Sequence, residues 1–162
     1  MSGKDRRDAV PGDGRDETEA ERLDRNWNAL LQELRVLETG TQILTGFLLT
    51  VAFQQTFAKL DAGEVTIYLV TVSLAAFATV LLLAPVALHR GLFRRHRMDA
   101  LVRWADRILR VALAVAGLAI VGVASLVFHV AAGPVVGFVA GGVMFVVIAA
   151  LWLALPSLLR RS

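Results

Sequence analysis

The chain has 162 residues, of which 56% are hydrophobic and only 19% are charged, and its mean hydropathy is positive. This composition lies far from that of an ordinary soluble globular protein and indicates a membrane protein. Cysteine is absent, which excludes disulfides, thiolate metal sites and cysteine nucleophiles. The net charge of +3 is less informative than its distribution, because the charges are confined to a few segments.

The N-terminal part of the chain predicts a tail followed by an amphipathic helix. Residues 1–17 mix charges of both signs with Gly and Pro and carry almost no large apolar side chain, so we predict a disordered cytoplasmic tail. Residues 18–38 predict a helix, with Thr18 and Glu21 in a capping box. Its apolar stripe consists of Leu23, Trp27, Leu30, Leu34 and Leu37. We expect this helix to lie on the membrane or to project into the cytoplasm and bind a protein, with a bend at Gly40.

Residues 39–159 predict an all-α domain, an antiparallel bundle of four transmembrane helices. Residues 39–58 and 65–88 are uncharged, and each run is long enough for a hydrocarbon core of about 30 Å. The uncharged run 111–159 would extend roughly 73 Å as one helix, so it must fold back, and we place the turn at Gly133 and Pro134. The predicted spans are 39–58, 65–88, 110–131 and 135–156, followed by a basic C-terminus at 160–162.

The segment between the second and third predicted spans is basic. Its cluster of Arg90, Arg94, Arg95 and Arg97 is expected to contact anionic lipid headgroups, and we expect no binding of nucleic acid. The apolar face from Met98 to Ala112 predicts a basic cytoplasmic surface helix along the inner membrane face. Sixteen of the 17 Lys and Arg residues fall on one side of this topology. Both termini are therefore expected in the cytoplasm of a bacterial plasma membrane.

Polar residues of the first span form the main candidate site: Glu38, Thr41, Gln42 and Thr45 share one face. They are interpreted either as hydrogen-bonding groups inside the bundle or as a path for an ion, a proton or a small solute. Gln54, Gln55 and His129 lie near the outer end and allow the same two interpretations, with pH sensing a further possibility for the histidine. Apart from Arg110 at the start of the third span, the other three spans contain no Asp, Glu, Lys or Arg, which argues against a coupled antiporter.

The fourth span begins with a ladder of small residues, Gly133, Gly137 and Gly141. The ladder predicts close helix packing, either inside the bundle or between two copies in a homodimer. Catalytic templates, cofactor motifs and metal-ligand spacings are not recognised, and His89 with His96 does not make one. We therefore predict neither an enzyme nor a cofactor or metal site.

Several stretches resemble an uncharacterised family of short four-span membrane proteins from high-GC Gram-positive bacteria. The matching residues are ELRV at 33–36, Gly40 with Gln42, FLLTVAFQQTF at 47–57, Tyr68 and APVALHR at 84–90. The resemblance covers about residues 20–160 and implies the same four-span architecture. Members sometimes carry a loose sodium:proton antiporter label, so the resemblance also implies transport.

The expected function is that of a non-enzymatic membrane scaffold or partner-binding protein. Its partners would be the bilayer, anionic headgroups and an unidentified membrane or cytoplasmic protein. The alternative is a small ion or solute transporter or channel that uses the polar face of the first span.

Overall fold

The computed structural model describes residues 17–92 and 98–159, and all regular structure in these ranges is helical. Three stretches are long and apolar enough to cross a membrane, namely Ala62–Arg90, Leu101–Ala132 and Pro134–Leu158, which is compatible with a membrane protein. The elements in chain order are α1 (Glu19–Val51), a 3-10 helix (Gln55–Lys59), α2 (Ala62–Leu92), α3 (Met98–Ala132), α4 (Pro134–Ala149), a π-helical turn (Ala150–Ala154) and α5 (Leu155–Leu159). The predicted tail up to residue 16, the arginines Arg94, Arg95 and Arg97, and residues 160–162 lie outside the described ranges.

Helix α1 begins with the predicted capping box. The Thr18 hydroxyl accepts from the Glu21 backbone N–H, and the Glu21 carboxylate accepts from the Thr18 backbone N–H at 2.8 Å. This backbone hydrogen bond, reinforced by one from the Thr18 hydroxyl, lowers the pKa of Glu21 from its ordinary value. The helix is not interrupted at Gly40. The amphipathic helix predicted at 18–38 is therefore the first part of a longer helix and not a separate element.

The far end of α1 differs from the predicted first span. The helix ends at Val51, and the chain continues through a bend into the 3-10 helix Gln55–Lys59. The uncharged part of α1, residues 39–51, is only about 20 Å long, so it does not cross a hydrocarbon core alone. A single helix over 39–58 is not found, and a membrane crossing by this segment stays a prediction.

Helix α3 corrects a second expectation. It runs without interruption from Met98 to Ala132, so residues 98–110 form its first turns. The prediction of a separate basic surface helix is wrong. The reason lies in the packing: Leu101 and Ala105 are buried against Trp27 of α1, which holds this part of α3 in line with the bundle.

Helices α1, α2 and α3 form one three-helix bundle, in which the buried residues recur at seven-residue spacing. Such spacing gives coiled-coil-like packing with a continuous seam on each helix. On α1 the seam is Trp27, Leu34, Thr41 and Leu48; on α2 it is Tyr68, Thr71, Ala75, Ala78, Leu82 and Pro85; on α3 it includes Ala105, Ala112, Ala119 and Leu126. The small side chains on α2 and α3 let these two helices approach closely.

Helix α4 packs chiefly on α3 and remains largely exposed elsewhere. Gly133 separates the two helices with a φ of 89°, and Pro134 is the first residue of α4, which is where the sequence predicts the turn. Gly137 and Gly141 are buried against α3. The molecule is thus a three-helix bundle with α4 attached to one side. We call the end with residues 52–61 and Gly133 the turn end, and the opposite end, where α2 ends and α3 begins, the loop end.

Candidate functional site

The predicted polar stripe of α1 makes its hydrogen bonds within the helix. The Thr41 and Thr45 hydroxyls donate to the carbonyl oxygens of Leu37 and Thr41, at 2.7 and 2.8 Å. The Gln42 amide donates to the Glu38 carboxylate at 3.3 Å, on an exposed surface. Of the four residues only Thr41 is buried. Both hydroxyls therefore have a hydrogen-bond acceptor within α1. The described contacts do not join the stripe to another helix through hydrogen bonds.

Gln54 and Gln55 lie in the bend after α1 and at the start of the 3-10 helix, and both side chains are exposed. The two residues sit at the turn end, as does His129 in the last turn of α3. His129 is buried, in contrast to the glutamines. The structure therefore brings these three candidates to the same end of the molecule without making them one site.

A residue outside the predicted site makes a buried hydrogen bond between helices. The Tyr68 hydroxyl of α2 donates to the Leu48 carbonyl oxygen of α1 at 2.9 Å. Leu48 lies in the last turn of α1, where carbonyls lack partners from the helix itself. The Phe57 ring packs edge-on against Tyr68, with 4.9 Å between ring centroids. Tyr68 thereby caps α1 and ties the segment after Val51 to α2.

We expect Tyr68→Phe to destabilise the protein by about 1–3 kcal/mol, because it leaves the buried Leu48 carbonyl without a donor. Thermal unfolding of the detergent-solubilised protein measures the effect. Thr66→Val is the matched control, since it removes an exposed hydroxyl that donates only to Ala62 of its own helix. A Tyr68→Phe variant as stable as the control would contradict the capping role.

His129 meets two carboxylates that the sequence reasoning did not single out. One potential ligand atom from each of Asp61, Glu64 and His129 lies within 4.8 Å of the other two. Asp61 immediately precedes α2 and Glu64 lies in its first turn, and the two form a capping box with hydrogen bonds of 2.8 and 2.9 Å between side chain and backbone. The D-x-x-E spacing is visible in the sequence. Its proximity to His129 follows only from the antiparallel pairing of α2 and α3.

The Gly137 and Gly141 ladder lies against α3, where Gly137 contacts the His129 backbone and Gly141 contacts Ser125. The surface of α4 around Gly137 and Gly141 is therefore already packed against α3 of the same chain. Gly142, by contrast, has nothing within 4 Å of the position where a Cβ would lie. A homodimer through α4 would accordingly have to use a face other than that of Gly137 and Gly141.

Basic and aromatic groups lie together at the loop end. Arg90, the described member of the predicted cluster, is exposed near the end of α2. On α3 the Arg107 guanidinium lies 5.4 Å from the Trp104 ring centroid, and Trp104 is 58% exposed. Arg110 forms an ion pair with Asp106. An exposed tryptophan beside arginine is the combination favoured at a membrane interface.

Two apolar grooves lie along α3. One of ≈ 270 Å³ lies between Gly117 and Leu118 of α3 and Phe145 of α4. The other, of ≈ 400 Å³, lies between α1 and α3 and includes Gly40 and Phe47. Trp152, in the π-helical turn, lines both grooves. Their apolar linings suit lipid chains or apolar side chains rather than a polar substrate.

The sequence pattern of a family described as "Family of unknown function (DUF6328)" matches residues 16–156. No curated protein matches, and no solved structure matches. The family match confirms the resemblance to an uncharacterised family. It shows neither a bacterial origin nor an antiporter activity.

Proposed function

The chain belongs to this family of unknown function, DUF6328, and we propose that it is a non-enzymatic scaffold or partner-binding protein of the bacterial plasma membrane. The proposal rests on one observation, the helical extension at the loop end. It consists of residues 19–38 of α1, the end of α2 and the first turns of α3. The partner that we propose for this protein is an unidentified membrane or cytoplasmic protein.

The extension has a hydrophobic core of its own. Trp27 is 7% exposed and stacks on His89, with 5.0 Å between ring centroids. Leu101 and Ala105 of α3 complete this cluster, and a second cluster around Leu34 continues it toward the spans. Residues 19–38 extend about 30 Å along α1. A packed projection of this length supports a role in holding a surface at a set distance from the membrane.

The face of α1 available to a partner is not the predicted one. The apolar stripe through Trp27 and Leu34 is turned inward, so it is not free to lie on lipid or bind another protein. The exposed face carries Asp24, Glu33 and Arg35. A partner that uses this face would therefore recognise charge and shape, with hydrophobic contact limited to residues such as Val36.

The basic and aromatic groups at the loop end support its placement on the cytoplasmic side of the membrane. Arg90, Trp104 and Arg107 are exposed there, and basic residues are attracted to anionic headgroups by about 1 kcal/mol each. The distribution of Lys and Arg along the chain supports the same orientation, with both termini inside. The turn end then faces outward. No contact of the polar stripe on α1 specifically favours the alternative of a transporter.

Single-cysteine variants test this proposal directly, because the chain contains no cysteine. With a membrane-impermeant maleimide on intact cells, we expect Lys59→Cys to react and Glu33→Cys to react only after permeabilisation. Phe145→Cys, in the middle of α4, should stay unlabelled until the protein is denatured. The reverse pattern for the first two variants would contradict the orientation, and labelling of native Phe145→Cys would contradict a lipid environment.

The same variants test partner binding when they carry a benzophenone photo-crosslinker. We expect a protein adduct of one defined mass from Asp24→Cys and from Glu33→Cys, both on the exposed face of α1 in the extension. Phe145→Cys is the matched control and should give lipid adducts. Cells in which neither extension position forms a protein adduct would contradict the scaffold function while leaving the membrane topology intact.

A further inference from the structure

Asp61, Glu64 and His129 converge at the turn end from two different helices. Asp61 and Glu64 open α2, and His129 lies in the last turn of α3. Potential ligand atoms of all three lie within 4.8 Å of one another. The cluster therefore joins the connection between α1 and α2 to the far end of α3.

The histidine supplies an independent reason to expect a ligand. His129 is 8% exposed, and its Nδ1 is shielded from solvent without a hydrogen-bond partner among the described residues. Buried polar nitrogens nearly always have a partner. The ring is held in place, because Gly137 packs on its backbone and the Phe138 ring lies 6.0 Å away. One nitrogen of a buried and fixed imidazole thus lies within 4.8 Å of two carboxylate oxygens, and the ring has unused bonding capacity.

The carboxylates are positioned and still have free oxygens. Asp61 Oδ1 accepts from the Glu64 N–H, and Glu64 Oε2 accepts from the Asp61 N–H. These bonds orient both side chains while each keeps its second oxygen for another ligand. The Asp61 side chain is exposed and Glu64 is half-buried, so small rotations of either are possible.

We propose that Asp61, Glu64 and His129 bind a divalent transition metal ion of the zinc class. One imidazole nitrogen with two carboxylate oxygens is a ligand set for such an ion, whereas magnesium and calcium select oxygen ligands alone. With metal–ligand distances of about 2.0–2.2 Å, the three atoms need to approach to roughly 3.4 Å of one another. Rotation of the two carboxylates accomplishes this, and water completes the coordination.

The charges around the cluster favour a cation. Two carboxylates outweigh the positive N-terminal end of α2, and the C-terminal end of α3 beside His129 adds negative potential. Bound metal would clamp α2 to α3 and so brace the turn end. The site goes beyond the proposed scaffold function and does not depend on it. The proposed orientation decides only from which side of the membrane the ion arrives.

Calorimetric titration of the purified full-length protein tests the site. We use detergent-solubilised protein stripped with EDTA and titrate it with Zn²⁺, and we expect one saturable equivalent. Asp61→Asn and Glu64→Gln should each weaken binding at least tenfold, and the double variant should lose it. Both amides keep the capping hydrogen-bond acceptor, so the fold of α2 is retained. Glu33→Gln, an exposed carboxylate on α1, is the matched control and should bind as the wild type does.

A second readout locates the ion on the histidine. Co²⁺ in place of Zn²⁺ should give visible absorption typical of mixed nitrogen and oxygen coordination, and His129→Gln should abolish it. Zn²⁺ should also raise the unfolding temperature of the wild type but not that of the Asp61→Asn, Glu64→Gln double variant. Absence of saturable binding by the wild type would overturn the proposal. Undiminished binding by the double variant would overturn it as well, because the ion would then lie on other groups such as His89 or His96.

Discussion

Gly137→Ala is expected to separate α4 from α3 and to destabilise the protein by about 3 kcal/mol, near the upper end for overpacking. A Cβ at position 137 would lie 2.6 Å from the His129 Cβ and 2.8 Å from both its Cα and its backbone nitrogen. These atoms belong to the α3 backbone or are attached directly to it, so no side-chain rotation relieves the clash. The two helices must move apart, and the close contact is lost along the whole ladder.

The measurement is thermal unfolding in detergent, with Gly142→Ala as the control. Gly142 lies in the same helix and has open space where a Cβ would be. Its replacement should leave the protein unchanged or stabilise it slightly, since alanine favours the helix by about 0.5–1 kcal/mol over glycine. Equal unfolding temperatures for the two variants would mean that α4 does not pack on α3 through Gly137.

Trp27→Ala is expected to loosen the extension at the loop end and to cost about 3–5 kcal/mol of local stability. The indole is buried between His89 of α2 and Leu101 with Ala105 of α3. Removing it deletes the largest side chain of the cluster in which the three helices meet at this end. The seam nearer the turn end, around Leu48 and Ala75, forms a separate cluster and should persist.

Hydrogen exchange followed by mass spectrometry distinguishes these regions. Residues 19–38 and 101–110 should exchange faster in Trp27→Ala, while residues 65–80 keep their protection. Trp104→Ala is the control, because that indole is largely exposed and its loss removes little packing. Unchanged protection of residues 19–38 would show that Trp27 is not part of a protein core. It would favour the alternative interpretation, in which this side chain contacts the membrane interface.

The amphipathic stripe of α1 shows how far sequence reasoning reaches. The four-and-three spacing of Leu23 to Leu37 correctly indicates a helix with one apolar face, and the TEAE motif correctly places its start. The same pattern serves a helix that lies on lipid and one that packs on protein. The choice depends on α3, whose first turns carry Leu101 and Ala105 to meet that face.

The sequence predicted which polar residues belong to the candidate site but not the contacts that they make. Thr41 and Thr45 lie on one face, as their spacing of four residues requires, but their hydroxyls donate to the backbone of their own helix and so do not build a path. The role of Tyr68 was not visible in the sequence, because its hydroxyl donates to a carbonyl oxygen 20 residues away along the chain. Asp61 and Glu64 were readable as a capping box, whereas their approach to His129 needed the pairing of α2 with α3.

The sequence by itself determined that the chain is apolar and helical, where the helix α1 begins, and that α3 and α4 meet at Gly133. These properties follow from composition, helical periodicity and backbone stereochemistry, which act over a few residues. Only the tertiary structure decided that α1 and α3 run on as single helices into a packed extension, that α4 packs chiefly on α3, and that His129 lies close to two carboxylates. The reason is that burial is a property of pairs of surfaces, and a single strip of apolar residues does not specify which surface will cover it.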